Sequence, residues 1–134
     1  MVITIDKAEV LTDVMREAEY AGAKGSDYDR TRIIDTDEEL LRRWISDACL
    51  RIESELSELG GTGIAAGSTW ILQTTNANGK DTWGSATAQS FVESRVLGEW
   101  MLLVGMNERA EVAMAKAEGK MQELKRIAYY RVEN

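Results

Sequence analysis

The sequence predicts an all-α fold: about four helices, the second of them long and central, with a small β-hairpin inserted between helices 2 and 3. Three observations carry that expectation. Apolar residues recur at steps of three and four in four separate segments, the spacing that puts them on one face of a helix. One of these segments, Thr36 to Leu59, runs for about six turns, roughly 35 Å at 1.5 Å per residue. Between residues 60 and 84 the composition turns to Gly, Thr, Ser and Asn, with two tryptophans. At 134 residues the chain is expected to form a single domain spanning 1–134.

The first helix is expected after Asp6, which stands as an N-cap with Glu9 three residues on. Val10, Leu11, Val14, Met15 and Ala18 supply its apolar face, and Gly22 is a stop signal. Residues 23–35 form a polar linker, tied down by Tyr20, Tyr28, Ile33 and Ile34. The central helix opens at Thr36, with Glu39 at the capping-box spacing and Asp37, Glu38 and Glu39 near the positive end of the dipole. Its stripe runs Leu40, Leu41, Trp44, Ile45, Ala48, Cys49, Ile52, Leu56 and Leu59, and Gly60-Gly61 ends it. Leu41, Trp44, Ile45, Ala48 and Ile52 are expected to pack against Val96, Leu97, Trp100 and Val104 of the third helix.

Ser68 to Thr75 has the β-branched and aromatic content of a strand. Asn78-Gly79 is a tight-turn signal, and Lys80 to Trp83 is expected to return as the second strand. The third helix is placed from about Ser85 to Gly105, with an apolar face broad enough to be buried on more than one side. The fourth, about Glu108 to Tyr130, carries Ala110, Met114, Ala117, Met121, Leu124 and Ala128 at heptad spacing, a seam that permits close approach.

Composition narrows the chemistry. There is no histidine, which rules out His-based triads and leaves little for a zinc site. The single cysteine, Cys49, lies on the apolar stripe and reads as a small buried hydrophobe. The pattern Gly61-x-Gly63-x-x-x-Gly67-Ser68-Thr69 lacks the lysine of a phosphate loop and follows a helix instead of a strand, so it reads as a lead-in to the hairpin. The clustered carboxylates Asp27/Asp29, Asp35/Asp37 and Glu53/Glu55/Glu58 read as caps and solvated faces. No catalytic residue, cofactor or metal is expected. Met1 to Asp6 is too short and too soon charged for a signal peptide, and the longest apolar run, Trp100 to Val104, is far short of a bilayer span.

Net charge is −7, and all of it lies in residues 1–59, with 15 acids and 8 bases; residues 60–134 balance at 8 of each. That sign disfavours sequence-specific DNA binding. Trp70 and Trp83 read either as residues pinning the hairpin to its own domain or as binding hot spots. The basic end of the last helix, with Lys120, Lys125, Arg126 and Arg131 beside Tyr129 and Tyr130, reads as a solvated face, a match for the helix dipole, or a docking element for an acidic surface. These eight residues are the candidate interface to a neighbouring subunit or another protein.

The run Asp35-Thr-Asp-Glu-Glu-Leu-Leu-Arg-Arg-Trp-Ile-Ser-Asp-Ala-Cys-Leu-Arg-Ile-Glu53 resembles the core helix of the head–tail connector (adaptor) proteins of long-tailed phages and prophages. The inserted hairpin, the terminal helix pair and the opening Leu11-Thr-Asp-Val…Tyr20-Ala-Gly-Ala-Lys24 are similar in order to small prophage proteins of that type. The resemblance implies a homo-oligomeric ring, usually of twelve copies, in the virion neck. It would dock beneath the portal protein, receive a stopper or tail-completion protein, and pass genomic DNA non-specifically through its channel. The alternative is a small acidic helical regulator or inhibitor, conceivably a DNA mimic, acting on one host or phage protein.

Overall fold

The computed structural model describes residues 1–23 and 35–130. The chain is predominantly helical, with four α-helices and one three-stranded antiparallel sheet among the described residues. The order is β1 (Val2–Asp6), α1 (Lys7–Ala23), α2 (Asp35–Glu55), a 3-10 turn (Ser57–Leu59), β2 (Gly63–Ala66), β3 (Thr69–Gln73), α3 (Asp81–Leu103) and α4 (Asn107–Tyr129). The expected linker, residues 23–35, falls almost wholly outside the described residues, as does Arg131.

The sheet corrects the sequence reading in two places. Strand order is β1-β3-β2, so the opening residues, which the sequence left without structure, pair along β3 from Val2↔Gln73 to Asp6↔Thr69. The hairpin turns at Gly67-Ser68, not at Asn78-Gly79. Gly67 has φ +62 at the first central position of a two-residue loop, which favours glycine there and matches the strand twist. Lys80 to Trp83 is therefore no strand: helix α3 begins at Asp81, about one turn earlier than expected. Asp81 sits in that first turn, where a carboxylate suits the helix dipole.

Pleating then sorts the strand residues by face. Ile3, Ile5, Trp70 and Leu72 point inward and are buried, whereas Ile64 and Ile71, paired directly across the strands, stay exposed. Thus the hairpin contributes to the core of its own chain.

Helix α3, not α2, is the hub. It packs against α4, α2, α1 and β1, and its buried residues, among them Ala88, Phe91, Val92, Val96 and Trp100, lie on more than one side. Helix α2 lays its stripe on this hub. Leu41, Ile45, Ala48, Cys49, Ile52 and Leu56 are buried as expected, with Trp44 packed at the edge. Burial raises the Cys49 thiol to about 12. The α3–α4 seam carries Ala110, Ala113, Ala117, Met121, Leu124 and Ala128 in the core, with Met114 lying over Gly98. Small side chains here let the two helix backbones approach closely. At the start of α1, Asp6 Oδ1 accepts from the N–H groups of Ala8 (3.0 Å) and Glu9 (3.2 Å), the expected cap. The helix runs one residue past Gly22.

Candidate functional site

Helices α3 and α4 form an antiparallel hairpin, and one end of it gathers much of what the sequence singled out. The connector from β3 to α3 crosses the C-terminus of α4, whose last carbonyls have no partner within the helix. Asn78 Nδ2 donates to the carbonyls of Ile127 (2.8 Å) and Tyr130 (3.1 Å), and Asn76 Nδ2 to those of Ala128 (3.0 Å) and Tyr130 (2.9 Å). Asn78 Oδ1 also accepts from the backbone N–H of Lys80 at 3.1 Å. Two amides therefore close α4, and that of Asn78, 6 % exposed, also aims the chain into α3.

That junction sets Lys80 between two rings. Its Nζ lies 4.8 Å from the Tyr130 ring centre and 5.7 Å from that of Trp83, within cation–π range. With Glu123, Arg126 and Ile127 these residues line a cleft of about 440 Å³. Trp83 is 52 % and Tyr130 50 % exposed, while Ile127 is a buried floor. Arg126 is exposed and makes no ion pair among the described residues, so its charge is available to a partner.

Of the eight residues singled out, Trp83, Arg126 and Tyr130 line this cleft, and Tyr129 stands exposed beside it. Trp70 does not join them. It is 4 % exposed in its own core, its ring covering Gly63, so it has no surface to offer another protein. Lys125 reaches Glu55 of α2 at 2.5 Å and holds that carboxyl below its ordinary range; Lys120 pairs with Glu123 at 3.4 Å. Both are engaged within the chain. Arg131 lies outside the described residues. Lys80, which sequence reading assigned to a strand, is the addition. The signal for it was its i, i+3 spacing to Trp83, legible once the helix is begun at residue 81.

A second groove, of about 480 Å³, lies along the other half of the α3–α4 hairpin, floored by Leu97, Met101, Val112 and Ala113. Val112 is 72 % exposed. Glu17, Glu93 and Glu108 stand around it, with Arg109 and Lys116 on the α4 side. Burial pushes Glu93 up to about 7, helped by a hydrogen bond to Asp13 and by the charges of Asp13 and Glu17, against a hydrogen bond from Gln89. No group of His, Cys, Asp or Glu among the described residues is arranged to hold a metal ion, and no described helix is long and apolar enough to cross a membrane.

No family model, curated protein or solved structure matches the chain.

Proposed function

We propose that the chain is a structural virion protein, a head–tail connector that forms a ring beneath a portal and extends the DNA channel toward the tail. The observation that carries this reading is the cleft at the end of the α3–α4 hairpin. Its two half-exposed rings, with Lys80 between them and Arg126 beside them, make a surface suited to another macromolecule. The resemblance of Asp35–Glu53 to the connector core helix supports the same reading. Portal protein and a stopper or tail-completion protein are the partners, the neck is the location, and genomic DNA slides past walls whose net charge of −7 gives phosphate little to hold.

The test is imaging of the purified protein with portal, together with rescue of tail-less heads. Arg126→Glu and Trp83→Ala, both at exposed positions, should leave the helical circular dichroism signal intact and abolish attachment to heads. A wild-type protein that remains a monomer or dimer in the presence of portal would remove the connector reading in favour of the small acidic regulator.

A further inference from the structure

We infer that the free edge of β2 receives an extended segment of another protein as a fourth strand, laid antiparallel to β2, with an acidic side chain directed at Lys7 and Arg42. This surface shares no residue with the Trp83–Tyr130 cleft, and the inference stands whether or not the chain is a connector.

The pairing of the strands identifies what that edge leaves open. In an antiparallel sheet, successive residues turn their main-chain groups to alternate sides. Thr74 N–H donates to the Met1 carbonyl and Lys7 N–H to that of Ser68, so the even-numbered residues of β3 face β1. Thr69 and Ile71 therefore bond to Ala66 and Ile64 of β2, while Gly63 and Ala65 present their N–H and C=O groups outward. The Gly63 N–H donates to the Glu53 carboxylate, as this pattern requires. At the far edge of the sheet Ser85 covers β1: its Oγ accepts from Thr4 N–H at 3.0 Å and donates to the Val2 carbonyl at 3.5 Å. Ala65 has no such partner among the described residues. Edge strands are commonly blunted by lysine, proline or a bulge. Gly-Ile-Ala-Ala carries none of these, and its last three residues are exposed.

What flanks the edge specifies the occupant. The N–H and C=O of Ala65 together match one residue of an antiparallel strand, which exchanges both bonds with it. On the outer face the cross-strand row Thr4–Ile71–Ile64 ends in an isoleucine 65 % exposed, which a β-branched residue would continue. On the inner face the row is Ile5–Trp70–Ala65, and α2 runs beside it. Glu53 touches Gly63, Ser46 two turns earlier meets Gly67, and Leu50, 56 % exposed, lies between them on the same side of the helix. The residue opposite Ala65 is therefore apolar too. At the hairpin end a pocket of about 180 Å³ sets Lys7 and Arg42 beside the hydroxyls of Ser46 and Ser68, with no carboxylate in its lining. Arg42 is held by Glu38 at 2.8 Å, but the half-buried Lys7 makes no ion pair among the described residues. In an antiparallel strand the residue two before the one opposite Ala65 lies beside Gly67 on this inner face. An acidic side chain there meets Lys7; with the strand reversed it would fall against Glu53.

The experiment uses the full chain and amide NMR. In the free protein the Ala65 N–H should exchange fast with solvent, and those of Ile64 and Ala66 slowly. The probe is a short blocked peptide of threonines carrying two adjacent valines, with an aspartate two residues before the first valine. Its addition should shift the β2 amides and slow exchange at Ala65. Ala65→Pro removes the outward N–H without touching the ladder to β3, a position where an edge strand tolerates proline. It should keep the denaturant midpoint and bind the peptide at least about tenfold more weakly. Lys7→Gln should weaken binding about threefold and remove most of its salt dependence. Slow exchange at Ala65 in the free protein, or a peptide that moves no β2 amide, would overturn the inference. So would equal binding by Ala65→Pro, by the peptide with lysine in place of aspartate, or by the reversed sequence. A wild type that dimerises, and loses its dimer in Ala65→Pro, would give the edge to a second copy instead. Should the proline variant fail to fold, the exchange pattern and Lys7→Gln still decide.

Discussion

Replacing Gly63 with alanine drives a methyl group into the face of Trp70. A Cβ built on Gly63 would lie 2.6 Å from the indole Nε1 and 2.7 Å from Cε2 and Cζ2, where comfortable contacts begin near 3.5 Å. The ring has little room to retreat, because Trp70 is buried between the sheet and the helices. Nor can the β2 backbone easily yield: Gly63 pairs opposite Leu72, and its N–H donates to the Glu53 carboxylate. Overpacking of this kind costs about 1–3 kcal/mol. At a urea m-value of about 2 kcal/mol/M, a 2 kcal/mol loss would lower the midpoint by about 1 M. The assay is urea unfolding followed by far-ultraviolet circular dichroism. Gly63→Ala combined with Trp70→Phe should lose less than the sum of the two single changes, because the smaller ring vacates the space the methyl takes. An unchanged midpoint for Gly63→Ala would refute the packing argument and return Trp70 to the surface as an interface candidate.

The remaining predictions concern groups whose environment is read directly from the structure. Glu93, raised to about 7 in the folded chain, binds its proton more tightly folded than unfolded, so its contribution to stability is present below about pH 4.5 and lost as pH rises toward 7. Glu93→Gln should flatten that slope and gain on the order of 1 kcal/mol at pH 8 after allowance for solvent screening, measured by urea midpoints across pH. Cys49, buried and raised to about 12, should resist a thiol reagent at pH 8 in the native protein and react promptly in urea. Asn78→Ala strips two bonds from the end of α4 and should cost about 1–3 kcal/mol, with faster amide exchange around Ile127. Lys125→Ala should lose under about 1 kcal/mol, since its partner Glu55 is partly solvated; the Glu55 carboxyl should titrate higher by NMR.

The helices were legible because their information is local. The stripe from Leu41 to Leu56 and the Ala/Met seam of α4 repeat at helical spacing, and those repeats are what the structure buries. The sheet was legible by halves. Ser68 to Thr75 reads as a strand from composition and contains β3, but nothing nearby identifies its partners. β1 is only five residues long and pairs across more than sixty residues of chain, so no turn announces it. Two glycine turns competed for the hairpin. Asn78-Gly79 looks stronger in isolation and loses because the Asn78 amide is captured by the carbonyls at the end of α4, a partner invisible to local reading. The cleft follows the same rule. Trp83, Arg126 and Tyr130 stand out as residues, but their meeting depends on where α3 begins and how α4 ends.

The acidic groups of the first half of the chain and the basic groups at the end of the last helix therefore have two destinations. Part of the asymmetry is consumed inside the fold. Lys125 reaches Glu55 and Arg51 reaches Glu118 at 3.1 Å, and these two pairs link α2 to α4, while Arg51 also approaches Glu55 of its own helix at 3.6 Å. Lys125 and Arg126 are neighbours in sequence, but a helix turns about 100° per residue, so they face different ways. One belongs to the body of the protein and the other to its surface. A charge reversal applied to the whole basic end would confuse the two, disturbing the α2–α4 link along with any docking. What remains for a partner is narrower than the basic run suggests. It is Arg126 together with Lys80, set beside two exposed rings, where a cation already shielded from water on one side by an aromatic face has less hydration to lose on contact.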